Sequence, residues 1–331
     1  MLTTKDIAVV ILNWNGKALL EQFLPSIVEY SKDATIYVAD NASEDDSIVF
    51  VTSTFPNVKL IKNAVNGGYA KGYNDALKAI EAPILCLLNN DVEVTENWLT
   101  PIVETFNAQK NTAIIQPKIL DYKQKTHFEY AGAAGGFIDK YGYPYCRGRV
   151  FDTIEEDQSQ YDNTIYIFWA SGACLFIRND IFRTLQGFDE SFFAHMEEID
   201  LCWRAYNSGY MTTFVHSSVV FHLGGATLNN SSPRKTYLNF RNSLYALLKN
   251  ARRPFLLILT RLILDGLAGL RFLVKLQFKH FIAILKAHFS FYGQLPTLLR
   301  SRRSLKKRDG YYQTKSIVWD YFVKNKRIYN G

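Results

Sequence analysis

Residues 7–88 alternate between short apolar runs and segments with a helical repeat. The apolar runs are "IAVVIL" (7–12), "TIYVAD" (35–40), "VKLI" (58–61) and "ILCLL" (84–88), and 17–30, 44–54 and 69–80 read as the helices between them. Unbroken apolar strands have no face to give to water, so the sheet they form must be covered on both sides. Strand–helix alternation makes that sheet parallel and the fold class α/β. With 331 residues, 48% of them hydrophobic and 15% aromatic, the chain can fill such a core, and global disorder is excluded.

Beyond about residue 117 the alternation loosens. Gly and Tyr are frequent through 130–148, and 152–163 is an acidic polar loop. "IYIFWASGACLFIR" (165–178) reads as strand on both sides of a Ser-Gly, "EEIDLCWRAYNSG" (197–209) as a helix stopped by Gly209, and "TTFVHSSVVFHLGG" (212–225) as strand again. The cysteines at 86, 146, 174 and 202 form no CxxC pair, which fits a reduced, cytosolic compartment. The N-terminal apolar run is too short for a signal peptide.

In an open parallel sheet, ligands bind beyond the carboxyl ends of the strands. Polar residues collect at each of those ends here. Asn13-Trp14-Asn15-Gly16 follows the first strand and Asp40-Asn41-Ala42-Ser43 the second. Asn63 and Asn66-Gly67-Gly68 follow the third, and Asn89-Asn90-Asp91 the fourth. Each alone is ordinary turn or helix-cap chemistry. Four on one edge converge on a polar ligand. Neither a P-loop nor a GxGxxG follows the first strand, so those phosphate-binding devices are absent. Asp40 suits a base or ribose, Asn66-Gly67-Gly68 allows close backbone approach, and Asp91 beside two amides suits an oxygen-ligated cation holding a diphosphate. The pattern is that of a nucleoside diphosphate site.

A second cluster is "FFAHMEEIDLCWR" (192–204), where Glu197, Glu198 and Asp200 open a helix. Acids suit a helix N-terminus, and Asp200–Arg204 is an i,i+4 pair, so Asp200 reads as structural. Phe192-Phe193 beside Glu197-Glu198 suits a carboxylate of raised pKa, which is what a general base needs.

The stretches "VVILNWNG", "VADNASEDDS", "NGGYAKGYNDAL", "LLNNDVEV", "SGACLFIR" and "GFDESFFAHMEEIDLCWRAYNSGY" resemble the successive motifs of family-2 glycosyltransferases of the GT-A fold, in the bacterial rhamnosyltransferase-like branch. The resemblance covers about 5–245. It implies a Rossmann-like, mostly parallel sheet, with Asp91 as ligand of a divalent metal (Mg or Mn) and His222 completing that site. Asn13, Asn15, Asp40, Asn41, Asn66, Gly67, Asn74 and Asn90 would hold the nucleotide-sugar. Glu198 takes the place of the family's catalytic base, where Asp is usual, with Glu197 second. Trp169, Ser171 and Gly172 would border the acceptor, with strand packing as the plainer role. Arg241-Asn242 matches a further motif whose role stays unassigned. The implied activity is inverting transfer from a nucleotide-sugar, dTDP-rhamnose by analogy, to a saccharide acceptor, plausibly lipid-linked, in cell-surface polysaccharide synthesis. Of two rivals, a sugar-nucleotide pyrophosphorylase would carry a glycine-rich basic loop after the first strand, which "NWNGKALLEQF" poorly replaces. A non-catalytic binding protein on this fold would have little need of Asp91, Glu198 and His222 together.

Charge divides the chain. Residues 249–331 hold 18 Lys and Arg against 3 acids, a net +15 in a chain of +7, which leaves −8 on residues 1–248. We therefore expect a catalytic domain over 1–248 and a basic helical extension over 249–331. At about 100° per residue, Arg261, Asp265, Arg271, Lys275, Lys279 and Lys286 share one arc of roughly 120°, with Leu, Ile and Phe elsewhere. Gly266 and Gly269 are candidate breaks. The spacing of charges leaves no membrane span. It fits a helix lying in the plane of an anionic membrane surface, with a hairpin packed on the body as the alternative. "RSRRSLKKR" (300–308) alone suits lipid or nucleic acid; beside the amphipathic stretch, lipid is favoured and no nucleic-acid partner is expected. The expected location is the cytoplasm, peripheral on the inner face of the cell membrane.

Overall fold

The computed structural model describes residues 1–224 and 232–329. It opens with β1 (Ile7–Asn13), α1 (Lys17–Tyr30), β2 (Thr35–Asp40), α2 (Ser47–Thr54), β3 (Lys59–Lys62), α3 (Gly68–Leu77) and β4 (Ile84–Asn89). β1 runs parallel to β2 and β4, and β2 parallel to β3. The register pairs Asn13 with Asp40 and Leu12 with Asn89, so three strands end their apolar runs on one line. Both faces are buried, as the unbroken runs require. Ile7, Val9 and Ile11 pack with Leu20, Leu24 and Ile27 of α1, and Ala8 and Val10 with Tyr73 and Leu77 of α3.

The remainder is β5 (Val92–Val94), α4 (Thr100–Ala108), β6 (Thr112–Asp121), β7 (Gly136–Ile138), β8 (Pro144–Cys146), β9 (Arg149–Val150), β10 (Thr153–Ile154), β11 (Ile165–Ile167), β12 (Cys174–Arg178), α5 (Asn179–Thr184), α6 (Glu197–Asn207), β13 (Met211–His222) and α7 (Pro233–Asn250). The main sheet has the order β11-β13-β6-β12-β4-β1-β2-β3, with β5 on β13. It is less parallel than the sequence suggests, because β12 is antiparallel to both β4 and β6. Parallel neighbours need a crossover, and the alternation that supplies one ends with α4. A second, four-stranded sheet, β10-β9-β8-β7, is built from the Gly- and Tyr-rich stretch and the residues after it, up to the start of the acidic loop. Gly225, the last residue of the expected 212–225 strand, lies outside the described residues.

The boundary expected at 248/249 falls inside α7, and Lys249 is buried. α8 (Pro254–Val274) and α9 (Phe278–Ser304) form a hairpin against α7, followed by α10 (Ile317–Phe322). Gly266 and Gly269 do not break α8; the turn comes at 275–277. Gly269 instead lets Phe281 of α9 approach, since a Cβ there would lie 3.2 Å from its ring. The expected charged strip is split. Arg261 and Asp265 point inward, where Arg261 donates to Asp265 (2.7 Å) and Ser243 (2.7 Å), and Tyr143 donates to Asp265 (2.8 Å). Arg271, Lys275, Lys279 and Lys286 stay exposed. The chain then returns to the body. Tyr311 packs on Trp203 at 4.6 Å, and Tyr329 stacks on Phe137 at 5.3 Å. Among the described residues, no helix is long and apolar enough to cross a membrane.

Candidate active site

The strand ends form one hydrogen-bonded floor. Asn13 is buried at the end of β1, and its Oδ1 accepts from Asn90 Nδ2 at 2.8 Å. Gly16 makes room for that bond: a Cβ would sit 2.3 Å from Asn90 Nδ2 and 2.4 Å from Asn13 Oδ1. Asn41 Nδ2 donates to Asn66 Oδ1 (2.9 Å) and to Gly68 O (3.2 Å), while its Oδ1 accepts from Asn63 (3.1 Å). Asn66 Oδ1 also takes the N–H of Gly68 at 3.0 Å, which closes the turn containing Gly67. Asn15 accepts from Glu44 N at 2.7 Å. Asp40 accepts from Ser43 N through one oxygen, at 3.0 Å, and its other, buried oxygen has no protein partner. A buried carboxylate oxygen without a donor is costly unless a ligand supplies one. Asn74 stands apart: it braces the 188–190 loop, bonded to Phe188 N and O (2.9 Å each) and to Glu190 (3.2 Å).

Asp91 follows β4, and β13 brings His222 beside it, with His222 Nε2 3.1 Å from Asp91 Oδ1. On the other side of the ring, Nδ1 lies 3.3 Å from Glu129 Oε1. Burial alone would lower the imidazole pKa, but Glu129 and Asp91 outweigh it and raise it to about 10. Sequence reasoning missed Glu129, which lies in the loosely patterned stretch without a motif around it. Among the described residues no cluster of three or more His, Cys, Asp or Glu makes a self-sufficient metal cage. A carboxylate and an imidazole converging at 3.1 Å fit a divalent cation that would bind in place of the proton that Asp91 and Glu129 favour on the ring, and that takes its other ligands from a diphosphate.

The carboxylates of α6 separate into two kinds. Asp200 is fully buried; burial favours its neutral form, but Lys249 and Arg204 prevail and hold it down at about 2. Arg204 Nε, Lys249 Nζ and Asn250 Nδ2 reach it at 2.7, 2.9 and 2.8 Å. The structural role read from Asp200–Arg204 is therefore right, and Lys249, counted with the basic extension, belongs to the same network. Glu197 and Glu198 each keep one buried oxygen without a protein partner. Burial raises Glu198 to about 7, and burial together with the charge of Glu198 drives Glu197 well above the carboxylate range. Glu198 is the more accessible of the two.

Phe193, His195 and Met196, just before them, have positive φ of 66°, 68° and 72°. For non-glycine residues that costs on the order of 1 kcal/mol each, so the surroundings must hold the segment. Tyr69 N donates to Phe193 O at 3.0 Å, and Tyr69 OH to Gly172 O at 2.8 Å. Tyr69 thus joins the Asn66–Gly68 turn, the segment that leads into Glu197 and Glu198, and the Ser171-Gly172 turn. Ser171 is buried, its N–H bonded to Gln116 at 2.8 Å. Trp169 is buried against Gly136 and donates to Phe137 O at 2.8 Å, so the face of its ring lies in the core.

Residues 8–182, more than half of the chain, match the model of the family described as "Glycosyl transferase family 2". The chain belongs to that family. It is similar to the N-acetylglucosaminyl-diphospho-decaprenol L-rhamnosyltransferase of Mycobacterium tuberculosis, with 24% identity over 66% of this chain and 76% of the relative. It is also similar to the low-salt glycan biosynthesis hexosyltransferase Agl10 of Haloferax volcanii, with 23% identity over 73% and 75%. These relatives fit the rhamnosyltransferase-like branch. Among solved structures, GalNAc-T7 with UDP, GalNAc and Mn²⁺ shares the fold at a TM-score of 0.57 and 18% identity, over 75% of this chain but only 48% of that one. The mannosyltransferase PcManGT of Pyrobaculum calidifontis, with GDP-Man and Mn²⁺, does so at 0.52 and 15%, over 88% and 75%. The fold of this glycosyltransferase is GT-A.

Proposed function

We propose that this family-2 transferase moves a sugar, with inversion, from a nucleotide-sugar to a hydroxyl of a lipid-linked saccharide. The observation that carries the reading is the pair of carboxylates at the start of α6, each with a buried oxygen that no protein group satisfies, tied through Tyr69 to the Asn66–Gly68 turn. Glu198, poised near neutrality, takes the proton of the acceptor hydroxyl. The freed oxygen attacks the anomeric carbon from the face opposite the diphosphate, and the bond to the leaving oxygen breaks with its electron pair. Asp40, Asn41 and the Asn66-Gly67 turn hold the nucleoside. Asn13 orients Asn90 towards the diphosphate.

Asp91 and His222 would hold a divalent cation, Mg²⁺ or Mn²⁺. Bound there, it would neutralise charge on the departing nucleoside diphosphate as a Lewis acid. The Mycobacterium relative, whose name specifies a diphospho-decaprenol acceptor and rhamnose, supports a polyprenyl-linked acceptor and dTDP-rhamnose as the first donor to try. The exposed apolar faces of α8 and α9, with lysines beside them, support a place on the anionic inner surface of the membrane. A panel of nucleotide-sugars with Mn²⁺, scored by released nucleoside diphosphate, tests the reading. One donor should turn over well above the others. Release from none, with and without a polyprenyl-diphosphate saccharide, would reject it.

A further inference from the structure

Arg241-Asn242 is the motif that neither the donor site nor the base explains. Both residues sit mid-way along α7, and Asn242 is fully buried. Its Nδ2 reaches three carbonyls of one segment: Phe192 O at 3.0 Å, Ala194 O at 2.9 Å and His195 O at 2.7 Å. Its Oδ1 accepts from Arg241 Nε at 2.8 Å, and Arg241 Nη2 donates to Ser191 O (3.1 Å) and Phe192 O (2.9 Å). The rings of Tyr237 and Tyr245, each 5.2 Å from the guanidinium, flank Arg241. Phe193 O goes to Tyr69 N and Met196 O to Asp200 N. Phe192 O also takes the N–H of Ala194 at 2.8 Å. Every carbonyl from Ser191 to Met196 therefore has a donor, and three of the six, those of Ser191, Ala194 and His195, rely on Arg241 or Asn242 alone.

This is the segment with three positive-φ residues that leads directly into Glu197 and Glu198. Its local sequence does not favour that path, because none of the three is glycine. We propose that Arg241 and Asn242 are positioning residues of the transfer reaction: they clamp the strained 191–196 segment and so set where the base stands relative to the donor-side turn at Gly68-Tyr69. Asn is required at 242 because the site needs several donated hydrogen bonds, and its one acceptor is already used in orienting Arg241. The proposal rests on Glu198 as the base.

Two measurements on the full-length protein test it. The first, hydrogen–deuterium exchange, needs no substrate and stands apart from the transferase reading. Asn242→Ala should raise exchange across residues 191–198 by about tenfold or more, with β1–β4 unchanged. Unchanged protection of 191–198 would overturn the clamp. Arg241→Lys, which keeps the charge, loses the fork and leaves the buried amide in place, should give a smaller rise in the same peptides and guards against a misfolded Asn242→Ala. The second is a double-mutant cycle with the fastest donor of the panel. Asn242→Ala should lower kcat by roughly 10²-fold, as a misplaced group does, with donor KM little changed. In a Glu198→Gln background it should cost little more, because both changes remove one function. An undiminished factor in that background would mean that Asn242 does not act through the base.

Discussion

At the residue scale, two kinds of titration set the pH behaviour. As the proposed base, Glu198 would act only when ionised, and burial raises it to about 7. Turnover should therefore rise with pH through about 7 rather than through the range near 4 of a solvated glutamate; a pH–rate profile checks this. The stability sign is opposite. A carboxylate raised in the folded state favours folding below its unfolded pKa and loses that contribution as pH climbs to the folded one. Glu198→Gln should thus raise Tm relative to wild type at pH 8 but not at pH 4. Asp200, held at about 2, contributes above its unfolded pKa and is lost only as pH falls towards 2. The proposed metal ligands, Asp91 and His222, give a separate test by calorimetry. Asp91→Ala should weaken nucleoside diphosphate binding about tenfold or more in Mn²⁺ and little in chelator, with His222→Ala a weaker copy. Equal losses in both conditions would mean that these residues touch the nucleotide directly or only support the fold.

At the scale of elements, α6 and α7 are bolted together by one buried ionic network. Lys249 Nζ reaches Asp189 at 2.5 Å and Asp200 at 2.9 Å. Lys249→Met should cost on the order of 3 kcal/mol in urea denaturation, because it leaves buried carboxylates short of a partner. Strands β1 to β4 and helix α6 were legible in the sequence because apolar runs and caps are local signals. The strand-end asparagines were legible for the same reason, since topology places every such end on one edge. The antiparallel insertion of β12 was not, because its partner β6 is more than fifty residues away in the sequence. Nor was Glu129, which meets His222 only once β13 is seated. Nor were the inward turns of Arg261 and Asp265, whose charges read as a solvated strip until Tyr143 and Ser243 are placed beside them. Asn74 illustrates the converse: it lies in a well-formed motif, yet its amide is occupied by the 188–190 loop.

At the scale of the whole molecule, the C-terminal helices present two faces. One completes the body: Ile258, Ala287, Phe291 and Leu298 are buried, and Tyr311 covers Trp203. A chain ending at Ala251 should therefore expose apolar surface and precipitate or melt well below the full-length protein, as read by thermal scanning. The other face is open. Leu259, Ile263, Leu267, Leu270 and Val274 on α8, and Phe278, Ile282, Leu285, Phe289 and Tyr292 on α9, are exposed and lie opposite the buried residues of their helices. Full-length protein should float with vesicles containing anionic lipid. Salt should remove only the part due to lysine and arginine, each worth on the order of 1 kcal/mol near such a surface, and Leu259→Glu with Leu270→Glu should remove the salt-resistant part. A full-length protein that leaves anionic vesicles untouched at low salt would contradict the surface placement. Within this molecule the proposed chemical step is that a carboxylate of α6 deprotonates the acceptor. Its most direct test is acceptor-dependent release of nucleoside diphosphate by wild type and Glu198→Gln, with donor affinity measured alongside. Donor binding should stay within a few-fold while turnover falls roughly 10²–10⁴-fold; near-normal turnover by Glu198→Gln would contradict it.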